Sequence, residues 1–181
     1  IEYVTKQHDG EYEPLPTTVL ENTLNRIRKL DESTSGENAQ EVADAIRNIV
    51  QDHAGVFRTS ALLDEGVKQI LALEPRVRNI HLKDKSKVFN TARVEALEVE
   101  NLYEVAKATL ISAAARKECR GAHTVVDFEL PPDHPTYSYG RRDDEWMKHT
   151  LWFSADNRLE YKPVRYKPLT VAAIPPKPRT F

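Results

Sequence analysis

Apolar residues recur three and four positions apart in four stretches of the chain, which is the spacing that lays them along one face of a helix. The first runs through Val19, Leu20, Leu24, Ile27 and Leu30, with Thr17 or Thr18 as N-cap and Ser33 to Gly36 as its stop. The second begins near Asn38, with Glu41 as capping-box partner, and carries Val42, Ala45, Ile46, Ile49 and Val50 on one stripe before Gly55. The third starts at Thr59 or Ser60 and presents Leu62, Leu63, Val67, Ile70, Leu71 and Leu73, with a kink expected at Pro75 before Val77 and Ile80. The fourth, from Asn90 or Thr91 to about Arg116, is the longest; Val105 to Ala115 is apolar nearly all round, which predicts the most buried strut.

After Gly121 the period changes. Thr124 to Phe128 reads as extended, residues 131–140 as an irregular loop, and His149–Ser154 with Leu159–Val164 as a β-hairpin around Ala155, Asp156, Asn157 and Arg158. Proline marks the same boundary, because eight of the eleven lie from Pro131 onward and only Pro75 falls between Thr17 and Gly121. The fold expected is mainly α: an up-and-down bundle of three to four helices over residues 17–121, then a mostly extended region with a hairpin over 122–181. Residues 1–16 read as a connector, and the last prolines, Pro175, Pro176 and Pro178, as a stiff, extended end.

Composition narrows the chemistry. With 26 Lys and Arg against 28 Asp and Glu in 181 residues, the net charge is -2, and 40% hydrophobic content describes a well-solvated globule rather than a general binder of nucleic acid or anionic membrane. No apolar run approaches the roughly 20 residues that span a bilayer. A single cysteine, Cys119, excludes an intrachain disulfide, and six scattered glycines make neither a dinucleotide turn nor a P-loop. Neither GxSxG nor HExxH occurs, so no catalytic, cofactor or metal residue is expected. The chain begins with Ile1 and its only methionine is Met147, which reads as a piece of a longer protein.

The densest polar cluster is Ala115 to His123. Arg116, Lys117, Arg120 and His123 at a helix C-terminus are candidates to hold an anion or a neighbouring surface; they also suit the negative end of the helix dipole, with Gly121 as a left-handed cap. Cys119 reads as a core cysteine, and His53 and His81 as hydrogen-bonded helix caps. Glu95, Glu98, Glu100 and Glu104 read as a solvated acidic face. Arg141 to Glu145 form a mixed-charge loop, after which Trp146, Trp152, Phe153, Tyr161 and Tyr166 cover a hairpin face or anchor a partner.

Taken in order, HAGVFR (His53 to Arg58), LDEG (Leu63 to Gly66), FNTARVEALEVENL (Phe89 to Leu102), ARKECRGAH (Ala115 to His123), DDEWMKHTLWF (Asp143 to Phe153) and the final PPKPRTF resemble the C-terminal region of the succinate dehydrogenase and fumarate reductase flavoprotein family. Cys119 stands where Ser is usual, and Phe181 where Tyr is common. The resemblance implies a three-helix C-terminal domain with an extended tail, in a parent enzyme that oxidises succinate with FAD and passes electrons to an iron-sulfur subunit and quinone. It implies that FAD and the dicarboxylate are held by N-terminal parts of that enzyme and that this piece alone is inactive. Expected partners are the FAD and capping domains, the iron-sulfur subunit and a flavinylation factor. The expected location is the cytoplasmic face of a bacterial inner membrane or the mitochondrial matrix side, without insertion into the membrane. The same region of fumarate reductase or L-aspartate oxidase, and an independent helical interaction module, are the alternatives.

Overall fold

The computed structural model describes residues 14, 16–131, 133 and 140–177. Nearly all of the expected connector over 1–16, most of the loop at 131–140 and the final Pro178 to Phe181 lie outside the described residues. The helices are α1 (Thr17–Glu32), α2 (Ala39–His53), α3 (Ser60–Ala72), α4 (Glu74–Arg78), α5 (Thr91–Ala115) and a single turn α6 (Asp143–Trp146), followed by strands β1 (Lys148–Phe153) and β2 (Arg158–Pro163).

Local chemistry sets the starts. Asn38 accepts from the Gln40 and Glu41 N–H groups, Thr59 from Leu62 and Asn90 from Arg93, each meeting first-turn donors that no carbonyl can reach. α1 differs from expectation: Pro16 occupies its cap position and makes no side-chain cap bond. Pro75 does more than kink α3. It sits in the first turn of α4, where its missing N–H costs nothing, so the helix breaks at Leu73 and restarts.

Two short backbone pairings fix the helix directions. Glu37 donates to Asn79 O and His81 to Glu37 O, placing the end of α4 beside the start of α2. Arg58 donates to Thr124 O and Val126 to Arg58 O, placing the start of α3 beside the chain that leaves α5. Consecutive main helices therefore alternate in direction, α3 running against α2 and α5, around a core of Val42, Ile46, Leu63, Ile70, Tyr103 and Leu110, all 2% exposed or less. The approach is close at Gly66 of α3, where an added Cβ would stand 2.5 Å from His53 Cβ and 2.9 Å from Leu110 Cδ2.

The bundle has three main helices, α2, α3 and α5, and α1 is an accessory. Only Leu30 of α1 is buried, while Val19, Leu20 and Leu24, expected on its packing stripe, are exposed. Polar contacts hold it instead: Arg26 with Glu100, Asp31 with Arg93, and Lys85 Nζ donating to the Leu30 and Ser33 carbonyls. α5 is the central strut as expected, yet it buries a stripe rather than its whole second half, because Val105 is exposed.

The hairpin pairs Lys148 with Pro163 and Phe153 with Arg158, each strand lying one residue earlier than expected. It leans on α5 through Lys107, whose side chain is buried, ion-paired to Glu104 and set over the rings of Tyr103 and Trp152. Of the aromatics, Trp146 is buried edge-on to Tyr161, whereas Phe153, Tyr161 and Tyr166 face solvent. Thr124 to Phe128 is extended only as far as Val125; Val126–Phe128 turns into a 3-10 helix as Asp127 reaches back to the Ser60 N–H.

Candidate functional site

The chain leaves α5 in extended conformation at Arg116. An extended segment alternates its side chains, so Arg116, Glu118 and Arg120 project to one side. They meet there. Glu118 is fully buried, and its Oε1 accepts from Arg116 Nε at 2.8 Å and Arg120 Nε at 2.7 Å, while Oε2 accepts from Arg120 Nη2 at 2.9 Å and from the Arg142 backbone N–H at 3.0 Å. Four charge-assisted bonds satisfy a carboxylate that would otherwise be very costly to bury.

The two arginines carry that charge outward. Arg116 also donates to the Lys148 and Trp146 carbonyls and to Thr150 Oγ1, and lies over the Trp146 ring, so it ties the end of the bundle to the hairpin. Arg120 extends to Asp143, which Arg141 grips as well. Asp143 is held below the usual carboxylate range, first by Arg141 and then by Arg120, and Arg120 is raised by Glu118 and Asp143.

His123 completes the joint from the opposite side. Its Nε2 lies 3.0 Å from Arg116 O and its Nδ1 3.0 Å from Arg58 Nη1. Arg58 can only donate, so Nδ1 accepts and the ring is the neutral Nε2–H tautomer, bonded to the carbonyl of the first residue beyond the helix. This overturns the expected cap: Gly121, at φ +59°, serves the tight Arg120–His123 turn instead. Burial lowers the His123 pKa, and the charges of Arg58 and Arg116 add to that, against the bond to the Arg116 carbonyl, which raises it.

A neutral, buried histidine binds fewer protons folded than unfolded, so stability is complete above its ordinary value and is lost as pH falls through and below it. Between about pH 7 and about pH 5 the melting temperature should fall more steeply for the native chain than for His123→Gln, which keeps a donor and an acceptor but cannot titrate. Parallel melting curves across that range would refute this origin.

Of the four sequence candidates, Arg116, Arg120 and His123 converge, whereas Lys117 contributes its carbonyl, which accepts from Arg142. Sequence reasoning missed Glu118, although its place two residues from an arginine on either side was a signal once the segment was taken as extended. Cys119 is in the core as expected, exchanging bonds with the Val125 backbone, and burial raises its thiol pKa. His81 bonds Ser33, but His53 Nδ1 is buried without a partner, so its expected cap bond is not made. Glu100 and Glu104 are ion-paired, to Arg26 and Lys107, rather than forming a purely solvated face. Among the described residues no group of three or more His, Cys, Asp or Glu side chains could hold a metal ion, and no helix is long and apolar enough to cross a membrane.

Beside the joint opens a cavity of about 1010 Å³, bounded by Gly55 to Arg58, Cys119 to Ala122, Thr124, Arg141 and Lys177. The N-termini of α2, α3 and α5 are already capped, by Asn38, by Thr59 with Asp127, and by Asn90.

Comparison with known proteins places these features. Residues 43–181 match the family described as fumarate reductase flavoprotein C-term. The succinate dehydrogenase flavoprotein subunit of Rickettsia bellii is 38% identical over 176 residues, which is 94% of this chain and 28% of that protein. The mitochondrial succinate dehydrogenase [ubiquinone] flavoprotein subunit of Oryza sativa is 34% identical over 181 residues, 98% of this chain and 27% of that protein. A solved structure of an E. coli quinol fumarate reductase FrdA variant superposes with a TM-score of 0.73 at 26% identity, covering 93% of this chain and 28% of that one. The chain thus spans little more than a quarter of the length of these relatives.

Proposed function

We propose, because this chain belongs to the fumarate reductase flavoprotein C-terminal family, that it is the C-terminal structural domain of a flavoprotein subunit whose whole polypeptide oxidises succinate to fumarate. The match over residues 43–181 carries this reading. The rest of such a polypeptide would hold FAD and the dicarboxylate, and electrons would pass to an iron-sulfur subunit and membrane quinone. The likeness to FrdA favours the same domain in a fumarate reductase as a second reading.

On either reading these residues act as a non-catalytic prop. The joint of Arg116, Glu118, Arg120 and His123, with the carbonyl of Lys117, fixes how the end of the bundle is offered to the FAD and capping domains. The iron-sulfur subunit and a flavinylation factor would meet the assembled subunit, which would lie on the cytoplasmic face of a bacterial inner membrane or on the mitochondrial matrix side.

The test uses the longer polypeptide that carries this sequence. It should reduce a dye with succinate and hold flavin. Arg120→Ala in that polypeptide should lower both flavin content and melting temperature, because Glu118 and Asp143 lose a shared partner. Absence of flavin in the native polypeptide ends the enzyme reading, and an Arg120→Ala subunit with unchanged flavin and melting temperature ends the docking role.

A further inference from the structure

The cavity beside the joint has an unbalanced wall. Among the described residues four cations line it, Arg58, Arg120, Arg141 and Lys177, against a single acid, Glu129, which is exposed. Arg120 and Arg141 are already matched to Glu118 and Asp143. Arg58 is not: its Nε donates to Gly55 O and its Nη1 to His123 Nδ1, both neutral. A half-buried guanidinium with only neutral acceptors retains unspent donor capacity and an uncompensated charge. Burial correspondingly lowers the Arg58 pKa, with no acid acting against it.

The loop that carries Arg58 is apolar and uncovered. Val56 and Phe57 are 76% and 74% exposed, and Ala54, Gly55, Gly121 and Ala122 beside them are small enough to leave the space open. Exposed aromatic surface next to an arginine is the residue combination that dominates protein interfaces. The volume is that of a site for several side chains rather than for one ion.

From this charge and shape we infer that the cavity binds a protein segment from outside these 181 residues that presents a carboxylate to Arg58 beside an apolar side chain laid on Val56 and Phe57. The carboxylate completes the Arg58 fork, and the apolar neighbour removes the two exposed side chains from water. This deepens the docking part of the proposed function and rests on it only for which end of the bundle meets a neighbour; the site itself rests on the cavity.

The probe is the blocked peptide acetyl-Leu-Glu-Leu-Phe-amide, titrated into the isotope-labelled chain and followed by amide NMR shifts. It should saturate with a Kd on the order of 1 mM or tighter, moving the amides of Gly55 to Arg58 and of Gly121 and Ala122. Its glutamine counterpart should bind about tenfold more weakly, about the worth of one charge-assisted bond. Arg58→Gln should abolish the preference for the acidic peptide. Because Arg58 also supports Gly55 and His123, Phe57→Ala serves as the second variant: it touches only exposed surface and should weaken both peptides about threefold or more. The inference is overturned if neither peptide saturates, if both bind equally to the native chain, or if both variants bind as the native chain does. Each of these outcomes leaves the succinate-dependent dye assay unaffected, so failure here is separable from failure of the flavoprotein reading.

Discussion

Glu118→Gln lowers the unfolding free energy by about 3 kcal/mol, the largest effect expected from a single polar substitution in this chain. The side chain is fully buried and accepts from Arg116, Arg120 and the Arg142 N–H. Glutamine keeps the shape but removes the charge, and its NH2 group must face donors it cannot accept from. Breaking a buried pair from one side costs roughly 3–5 kcal/mol. The lower end applies because the Arg116 and Arg120 side chains are 15% and 25% exposed and can turn partly to water. Glu145→Gln is the control: its pair with Arg142 is half-exposed on both sides, and the change should stay within about 0.5 kcal/mol. Urea denaturation followed by tryptophan fluorescence reads both. A loss below about 1 kcal/mol for Glu118→Gln would mean that the carboxylate does not organise the joint.

Gly140→Ala should cost about 3 kcal/mol, whereas Gly121→Ala should cost about 1 kcal/mol, although both glycines have positive φ. At Gly140, φ is +76° and an added Cβ would stand 2.1 Å from the Phe128 carbonyl oxygen and 3.1 Å from Cys119 Sγ, so backbone has to move. The Gly140 carbonyl is also what the Cys119 N–H donates to, and Glu118 is its neighbour. At Gly121, φ is +59° and nothing lies within 4 Å of the added atom, which leaves only the conformational penalty. Equal costs for the two substitutions, measured by the same denaturation, would show that the collision at Gly140 relaxes freely.

The parts of this fold that were legible in the sequence are those decided by near neighbours. Asn38, Thr59 and Asn90 act within one turn, and the hairpin needs only alternation around Asp156 and Asn157, so caps and pairing emerged within a residue or two. What stayed hidden was decided by distant chain. Val19, Leu20 and Leu24 have helical spacing that predicts a packed face, yet nothing on α2, α3 or α5 covers them. Cys119 was legible as core because a thiol beside an apolar helix has few other fates. Glu118 was not, because its burial depends on the Arg142 N–H and on two arginines that were assigned to the helix dipole. The family resemblance supplied the three-helix count, where periodicity alone gave four.

The joint also constrains the order in which the chain can organise itself. α2, α3 and α5 all lie before residue 116, so a chain growing from its N-terminus has the whole bundle in hand early. Arg116 then waits for Trp146, Lys148 and Thr150, and Glu118 waits for Arg142. Until those residues emerge, an acid and two arginines sit hydrated at a loose end. Closure of this late, long-range contact set, rather than helix formation, would pace maturation of the domain.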